Sequence, residues 1–467
     1  MAKKLYVFGI GGTGSRVIKA LTMLFAAGCK LGNDFDTVVP IIIDPDTGNG
    51  DLNRTKEILK LYQEIRKNID SPDDFFAQEV KTVANLVTNS DSITGDGFQF
   101  MLNGTAGTKF KDFIHYSNIP SEDKLFLDSL YSEHNLESDL DVGFKGNPNM
   151  GSIVLNQFTS SKDFERFGQS FSPGDAIFIV NSIFGGTGAA GFPLLLKSLK
   201  NGAEIPNSAL IKQAIIGGLT YLPYFKLNKG EIDSDTFLEK AKSAIDYYNR
   251  TIINQKQIES IYFLGDVGTT STYDNHAGQQ AQKNDAHFLE LAGALAILDF
   301  SSNAQNLSPG QTKIKEFGIE NDTNPLTFDS LNTINSKQIK FYLQKFRFYT
   351  EYLKKGLPRA LNVSRWTKKK TQLTRDYFDS PEYKNEIANF NAHFNNWTQE
   401  LEDNSPSFAP FNSIIKNNDN GRGLFKTLDT LNCLEIDQTP ISESQKHNQL
   451  IKLFGSTTQK VIEKQKL

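Results

Sequence analysis

Only two cysteines occur in the 467 residues, Cys29 and Cys433. So few, so far apart, exclude a disulfide framework or a cysteine-rich metal site and fit a reducing cytoplasm. No excess of one charge is present either: 50 Lys and Arg face 54 Asp and Glu, a net charge of −4. That balance gives no electrostatic case for nucleic acid or an anionic membrane surface. The run Lys368-Lys369-Lys370 is too short to change this and reads as a solvated helix end. No stretch reaches the ~18 consecutive apolar residues of a membrane span. At the N-terminus Lys3 and Lys4 precede only Leu5–Phe8 before Gly9, too short for the core of a signal peptide. The expectation is a soluble cytoplasmic protein of two or three domains.

What is present alternates. Leu5–Phe8, Val38–Ile43, Ala176–Val180, Leu210–Leu219 and Glu259–Leu264 are apolar runs that read as buried strands, the second despite Pro40. Between them lie helical patterns over Ser15–Ala27 and Pro193–Leu199, the latter with proline at its opening position. Such alternation predicts an α/β fold around a mostly parallel sheet covered on both faces. Asp285–Phe300 is apolar almost all round and reads as a long buried central helix. The polar segment Ser301–Gly310 suggests a boundary, giving domains 1–300 and 301–467. The second of these reads as largely helical, with aromatic stripes over Gln338–Leu353 and Glu382–Leu401 and a loop over Asn404–Asn420. The stripes read first as core packing and second as a partner surface.

Chemistry concentrates in the segments that end the strands. Gly9-Ile-Gly-Gly-Thr-Gly14 and Phe184-Gly-Gly-Thr-Gly-Ala-Ala-Gly-Phe-Pro193 each join an apolar run to a helix pattern. A strand that ends in glycines and restarts as a helix aims backbone N–H groups and the positive end of a helix dipole at one point, which suits a phosphate. Two such turns in one chain point to a nucleotide held from two sides. Asp44-Pro45-Asp46-Thr47 places two carboxylates at a strand end, where a ribose or a hydrated Mg²⁺ fits. A third loop, Gly143–Gly151, adds free N–H groups and Lys145, and Thr220–Phe225 follows the next strand.

In this order the segments resemble the tubulin/FtsZ superfamily. Gly185-Gly186-Thr187-Gly188, preceded by Asn181 and Ser182, is similar to its glycine-rich phosphate loop. Gly9, Gly11, Gly12, Thr13 and Gly14 resemble its N-terminal glycine loop, and Asp44 and Asp46 stand at its Asn-Thr-Asp turn. Gly146-Asn147-Pro148 is similar to a Gly-Asn-Pro loop beside the terminal phosphate, and Pro223 belongs to a Pro-Phe-like turn. Asn284 stands at the start of the central helix, where the superfamily reads the base. The resemblance implies GTP or GDP with Mg²⁺ carried on the phosphates, and self-association or a protein partner. Phe184 and Ala190 stand in place of two glycines, and Ala189 in place of a hydroxyl residue. The acidic Asn-x-Asp-x-x-Asp loop of polymerising members has no counterpart of that spacing. Asp322 and Asp329 are the nearest candidates for catalysis, so slow or absent hydrolysis is expected. A Cβ at Gly186 or Gly188 is expected to block phosphate.

Three other readings compete. An adenylating enzyme of the ubiquitin-activating or thiamine-sulfur-carrier type would use the first glycine turn, Asp46 and Arg54 with ATP, but gives no role to Gly185–Gly188. A dinucleotide-binding domain would place its ribose acid ~20 residues after the glycines, nearer than Asp44. A non-catalytic scaffold subunit of a larger cytoplasmic complex needs no turnover at all. His287 reads as a packing histidine.

Overall fold

Leu5, Tyr6, Val7 and Phe8 are apolar without interruption, and a run of that kind is covered on both faces in the interior of a parallel sheet. In the computed structural model all four are fully buried. The structure describes residues 3–32, 34–70, 74–87, 97–144, 146–201, 204–230, 232, 234–266, 271–276, 278–319, 326–328, 336–361, 363–367, 371–410 and 441–465. The principal elements in chain order are β1 (Lys3–Ile10), α1 (Gly11–Ala27), β2 (Phe35–Ile43) and α2 (Gly50–Lys67). They continue with α3 (Ser121–Leu130), α4 (Pro148–Leu155), β3 (Ala176–Ser182), α5 (Gly186–Asn201), β4 (Ile216–Tyr221) and α6 (Phe237–Tyr248). Then come β5 (Ser260–Asp266), α7 (Phe288–Asn303), β6 (Lys313–Ile319), α8 (Ser336–Lys355), α9 (Asn389–Asp403) and α10 (Glu443–Gln465).

The sheet runs β6-β5-β4-β3-β1-β2, with two-residue strands at Glu79–Val80 and Gln99–Phe100 completing it beside β2. Every pair is parallel. The fold is therefore α/β, as the alternation predicts. Pro40 sits opposite Val7 of β1, and the two short strands pair with Thr37–Val38 and Ile42–Ile43 on the other side. The proline thus lies in the gap between them, where a missing N–H removes no ladder bond.

Several boundaries differ from those read in the sequence. α1 begins at Gly11 rather than Ser15, and α5 at Gly186 rather than Pro193. Pro193 lies inside α5; only its N–H to the carbonyl of Ala189 is lost, so a small-residue first turn can precede it. Leu210 belongs to a short helix, Ser208–Gln213, and β4 starts at Ile216. The central helix starts at Phe288, because His287 caps it: its Nδ1 accepts from the Leu289 N–H, while Glu290 accepts from the His287 N–H. This is a capping box with an unusual first member.

α7 is buried nearly throughout and packs along α1. Gly293 admits the Tyr221 phenol, which donates to the Leu289 carbonyl at 2.8 Å; a Cβ there would lie 1.9 Å from that oxygen. Two features continue past residue 300: β6 joins the sheet beside β5, and the aromatic helices share its core. Phe346 meets Phe75 edge-on at 4.9 Å and Phe394 at 4.7 Å, while Phe390 meets Phe76 at 5.0 Å. The aromatic stripes of α8 and α9 are core, and they hold the helical region against Tyr62, Phe75 and Phe76. Within the Glu382–Leu401 pattern a wide turn over Tyr383–Ala388 precedes α9. No helix among the described residues is long and apolar enough to cross a membrane.

Candidate functional site

β1 and β3 are neighbours at the centre of the sheet although α1 and α5 carry the chain away from them to opposite sides, to β2 and β4. A crevice opens at such a reversal of strand order, beyond the carboxyl ends of the strands. Here it is a cleft of about 880 Å³, partly open to solvent. It brings together Gly11, Gly12 and Thr13 from the first turn of α1 with Gly185–Gly188 from the first turn of α5. Asp44 and Asp46 come from the end of β2, Gly143 and Gly146 from the third loop, and Asn284 from the approach to α7. Four segments and one asparagine, drawn from between Gly11 and Asn284, thus line one cleft.

Both glycine-rich stretches are themselves helix N-termini. The first N–H groups of an α-helix have no partner within it. Ile10, at the cap position of α1, has no side chain that could accept from them, and neither helix carries an acid in its first turn. The two turns touch: a Cβ on Gly11 would lie 3.4 Å from the Thr187 Cβ and 3.6 Å from the Gly188 nitrogen. Positive dipole ends that converge among small residues suit an anion in both charge and shape.

The same cleft carries two carboxylates. Asp44 accepts from the Asp46 N–H at 3.0 Å, and Asp46 accepts from the Gly48 N–H at 3.0 Å. Burial, reinforced by the neighbouring charges of Asp46 and Asp51, pushes the Asp44 carboxyl up to about 7. Asp46 is raised too, again chiefly by burial. A cation between these carboxylates and an anion on the glycine turns would relieve both. The residues therefore fit a phosphate carrying a divalent ion. Among the described residues no group of three or more acidic, His or Cys side chains forms a self-sufficient metal site.

Other residues singled out in the sequence serve the framework. Gly9 and Gly14 let α1 cross over β1: a Cβ on Gly14 would fall 2.5 Å from the Gly9 carbonyl carbon. Asn147 caps α4, its Oδ1 accepting from Asn149 and Met150. Asn181 is fully buried, donating to the Tyr248 phenol and accepting from Thr220, and does not line the cleft. Pro223 does not line it either; its neighbour Phe225 does. Lys145, Asp322 and Asp329 lie outside the described residues, as do Lys368–Lys370, Cys433 and residues 411–420 of the expected loop.

The sequence reading missed the charges beneath the cleft. Arg16 lines it and is otherwise buried. Its guanidinium pairs with Glu290 of α7 and, at 2.9 Å, with Asp51 of α2, and donates to the Tyr224 phenol at 3.0 Å. Arg54 extends the cluster to Asp51, the Asn284 carbonyl and Glu400 of α9. His287, beside it, is pushed down to about 3 by burial and by Arg16, and is neutral. One signal was available: Arg16 and Glu290 are charged residues set among the apolar residues of helices that read as buried.

No family model matches the sequence, and no curated protein is significantly similar to it. Among solved structures, CetZ2 from Haloferax volcanii, as a GTPγS-bound protofilament, aligns with a TM-score of 0.32 and 13% identity over 67% of this chain. The chain spans 64% of CetZ2's length. A GTPγS-form protofilament of TubZ from Bacillus thuringiensis serovar israelensis aligns at 0.25 and 13%, over 84% of this chain and 81% of that one. A two-stranded TubZ-Bt filament aligns at 0.25 and 14%, over 85% and 79%.

Proposed function

We propose that the cleft binds a guanine nucleotide, GTP or GDP with Mg²⁺, and that the nucleotide acts as a structural ligand or assembly switch with slow or absent hydrolysis. The observation that carries this reading is the meeting of two glycine-opened, acid-free helix N-termini in one cleft with Asp44 and Asp46. Backbone N–H groups of Gly11–Thr13 and Gly186–Gly188 would receive phosphate oxygens, each such charge-assisted bond contributing about 1.5–3 kcal/mol. Asp44 and Asp46 would face a hydrated Mg²⁺ or the ribose hydroxyls. Guanine over adenine rests on the resemblance of the loops to the tubulin/FtsZ superfamily, and Asn284 would meet the base. Self-association in the cytoplasm follows from the same resemblance.

The adenylating reading loses its arginine. Arg54 is held by Asp51, Glu400 and the Asn284 carbonyl, and does not line the cleft. Pyrophosphate exchange into ATP that depends on Asp46 and Arg54 would restore that reading.

Calorimetry with GTP, GDP and ATP, with and without Mg²⁺, tests the proposal. Gly186 and Gly188 are poor places to block phosphate: a Cβ at Gly186 meets Phe144 at 2.9 Å, and one at Gly188 meets the Ser182 backbone at 2.8 Å. Gly12 is better, because only the Arg16 guanidinium, at 3.5 Å, comes near its Cβ position. Gly12→Asp should leave the fold intact, since an acid suits a helix N-terminus, and weaken nucleotide binding at least tenfold. Equal affinity in wild type and variant would remove phosphate from this turn. Wild-type protein at a hundredfold nucleotide excess should gain about 2.7 kcal/mol of stability.

A further inference from the structure

α3 is amphipathic and turned outside in. None of its ten residues is buried, and Leu125, Phe126 and Leu130 are 74%, 66% and 52% exposed. The helix is nevertheless held in place. Leu127 packs on the core, the Lys124 ammonium lies 5.3 Å from the Tyr116 ring centroid, and the Tyr116 phenol donates to Asp128 at 2.6 Å. With Leu127 turned inward, Phe126 and Leu130, one turn apart, share an outer face, and Leu125 is exposed to one side of them. A large aromatic and a large aliphatic side chain exposed one turn apart on a helix that is held in place suit a contact surface.

A second, separate surface has the complementary form. α4, α5 and α6 enclose a groove of about 1910 Å³, partly open to solvent, lined by Pro193, Leu194, Ala244, Tyr247 and Ile252 among others. Its lining runs along α5 from Ala189 to Asn201, about 18 Å at 1.5 Å per residue; α3 is about 15 Å long. Charge also matches. The groove lining carries Lys197 and Lys240 against Glu239, and α3 carries Glu122, Asp123 and Asp128 against Lys124. No residue of α3 lines the groove of its own chain.

We propose that α3 of one copy docks in the α4–α5–α6 groove of the next. Two different patches then meet at each contact, so the assembly is head-to-tail and grows as an open array or closes as a ring. Phe184 and Gly185 line the groove on one side and the nucleotide cleft on the other. The Phe184–Gly188 turn is therefore a shared wall, and a ligand that orders it strengthens the docking. This deepens the self-association reading of the preceding subsection by assigning the surfaces.

The test is sedimentation velocity and light scattering on the full chain with three variants: Phe126→Lys, Leu130→Lys and Ser243→Trp. The first two alter an exposed helix face, and Ser243 is an exposed residue lining the groove. Circular dichroism and melting temperature confirm that each folds. Wild type should associate with a micromolar Kd, and each variant alone should weaken association at least tenfold. An equimolar mixture of Phe126→Lys with Ser243→Trp should recover a complex that stops at two copies, because each supplies one intact surface. Unchanged wild-type-like assembly in the single variants, or a mixture that stays monomeric, would overturn the proposal. So would binding of wild type, but not Phe126→Lys, to vesicles of phosphatidylserine and phosphatidylcholine, which would assign α3 to lipid. Calorimetry with GTP on the monomeric variants separates the two readings: they should bind nucleotide like wild type, and assembly through α3 in a chain that binds none would leave this proposal standing without the other.

Discussion

The two helix starts that meet in the cleft are supported in different ways. Behind the first turn of α1 lies charge: Arg16, one turn further on, is buried between Asp51 and Glu290 and ties α1 to α2 and α7. Behind the first turn of α5 lies crowding. Gly186 abuts Phe144 and the backbone nitrogens of Gly146 and Asn147, and Gly188 abuts the backbone of Ser182. Similar sequence thus yields two tolerances. The first turn accepts volume at Gly12 and depends on its ion pairs; the second has no room and depends on absent side chains.

Arg16→Met should break the first support most severely. It leaves Asp51 and Glu290 without their shared buried cation, and breaking such a pair costs about 3–5 kcal/mol. Urea denaturation reads this, and adding Glu290→Gln should recover part of the loss by removing one stranded carboxylate. A cost below ~1 kcal/mol would mean that charge does not hold this turn.

Asp44 gives the next effect, through pH. Its folded carboxyl is raised to about 7, above the unfolded value, so the folded state binds the proton more tightly. Below about pH 4 both states are protonated and nothing is lost. As pH rises to about 7 the unfolded chain ionises first, and stability falls by up to about 1.4 kcal/mol per unit, on the order of a few kcal/mol in all. Other groups titrate in the same window, so the measurement is the difference between wild type and Asp44→Asn. That difference should grow in the variant's favour from pH 4 to 7 and then level off. Mg²⁺ with nucleotide should shrink it at pH 8.

Glycine substitutions bring out the contrast at smaller scale. Gly188→Val should cost about 1–3 kcal/mol in thermal denaturation without any ligand, since a Cβ 2.8 Å from the Ser182 backbone forces a shift. Gly12→Ala should instead stabilise by a few tenths to about 1 kcal/mol, because a helical glycine with open space gains from losing backbone freedom. Equal costs at the two positions would erase the distinction between charged and crowded support.

Much of the sheet was legible in the residues themselves. Leu5–Phe8 and Ala176–Val180 are apolar at every position, and only the interior of a parallel sheet hides both faces of a strand; both runs fall within strands found there, β1 and β3. The glycine turns, Asp44, Asp46 and Asn284 were legible as ligand-facing candidates because their residue types carry the needed donors or backbone freedom, and the fold gathers them in one cleft. Asn147 and Asn181 could not be sorted in the same way. An asparagine offers the same amide to a ligand, to a helix end or to a buried phenol, and only its neighbours decide which one takes it.

Sequence by itself thus determined that Leu5–Phe8 and Ala176–Val180 lie in buried strands, where the glycine turns fall, and that two cysteines cannot make a disulfide framework, since residue type, apolar run and backbone freedom are local properties of the chain. Tertiary structure alone decided that Arg16 meets Glu290 across 274 positions and that the rings of α8 and α9 pack on Phe75 and Phe76. It also decided that Leu125, Phe126 and Leu130 stay outside. The physical reason is common to all three: an ion pair, a ring contact and an exposed face each depend on what another segment brings, or does not bring, to within a few ångströms, and no local pattern encodes that distance.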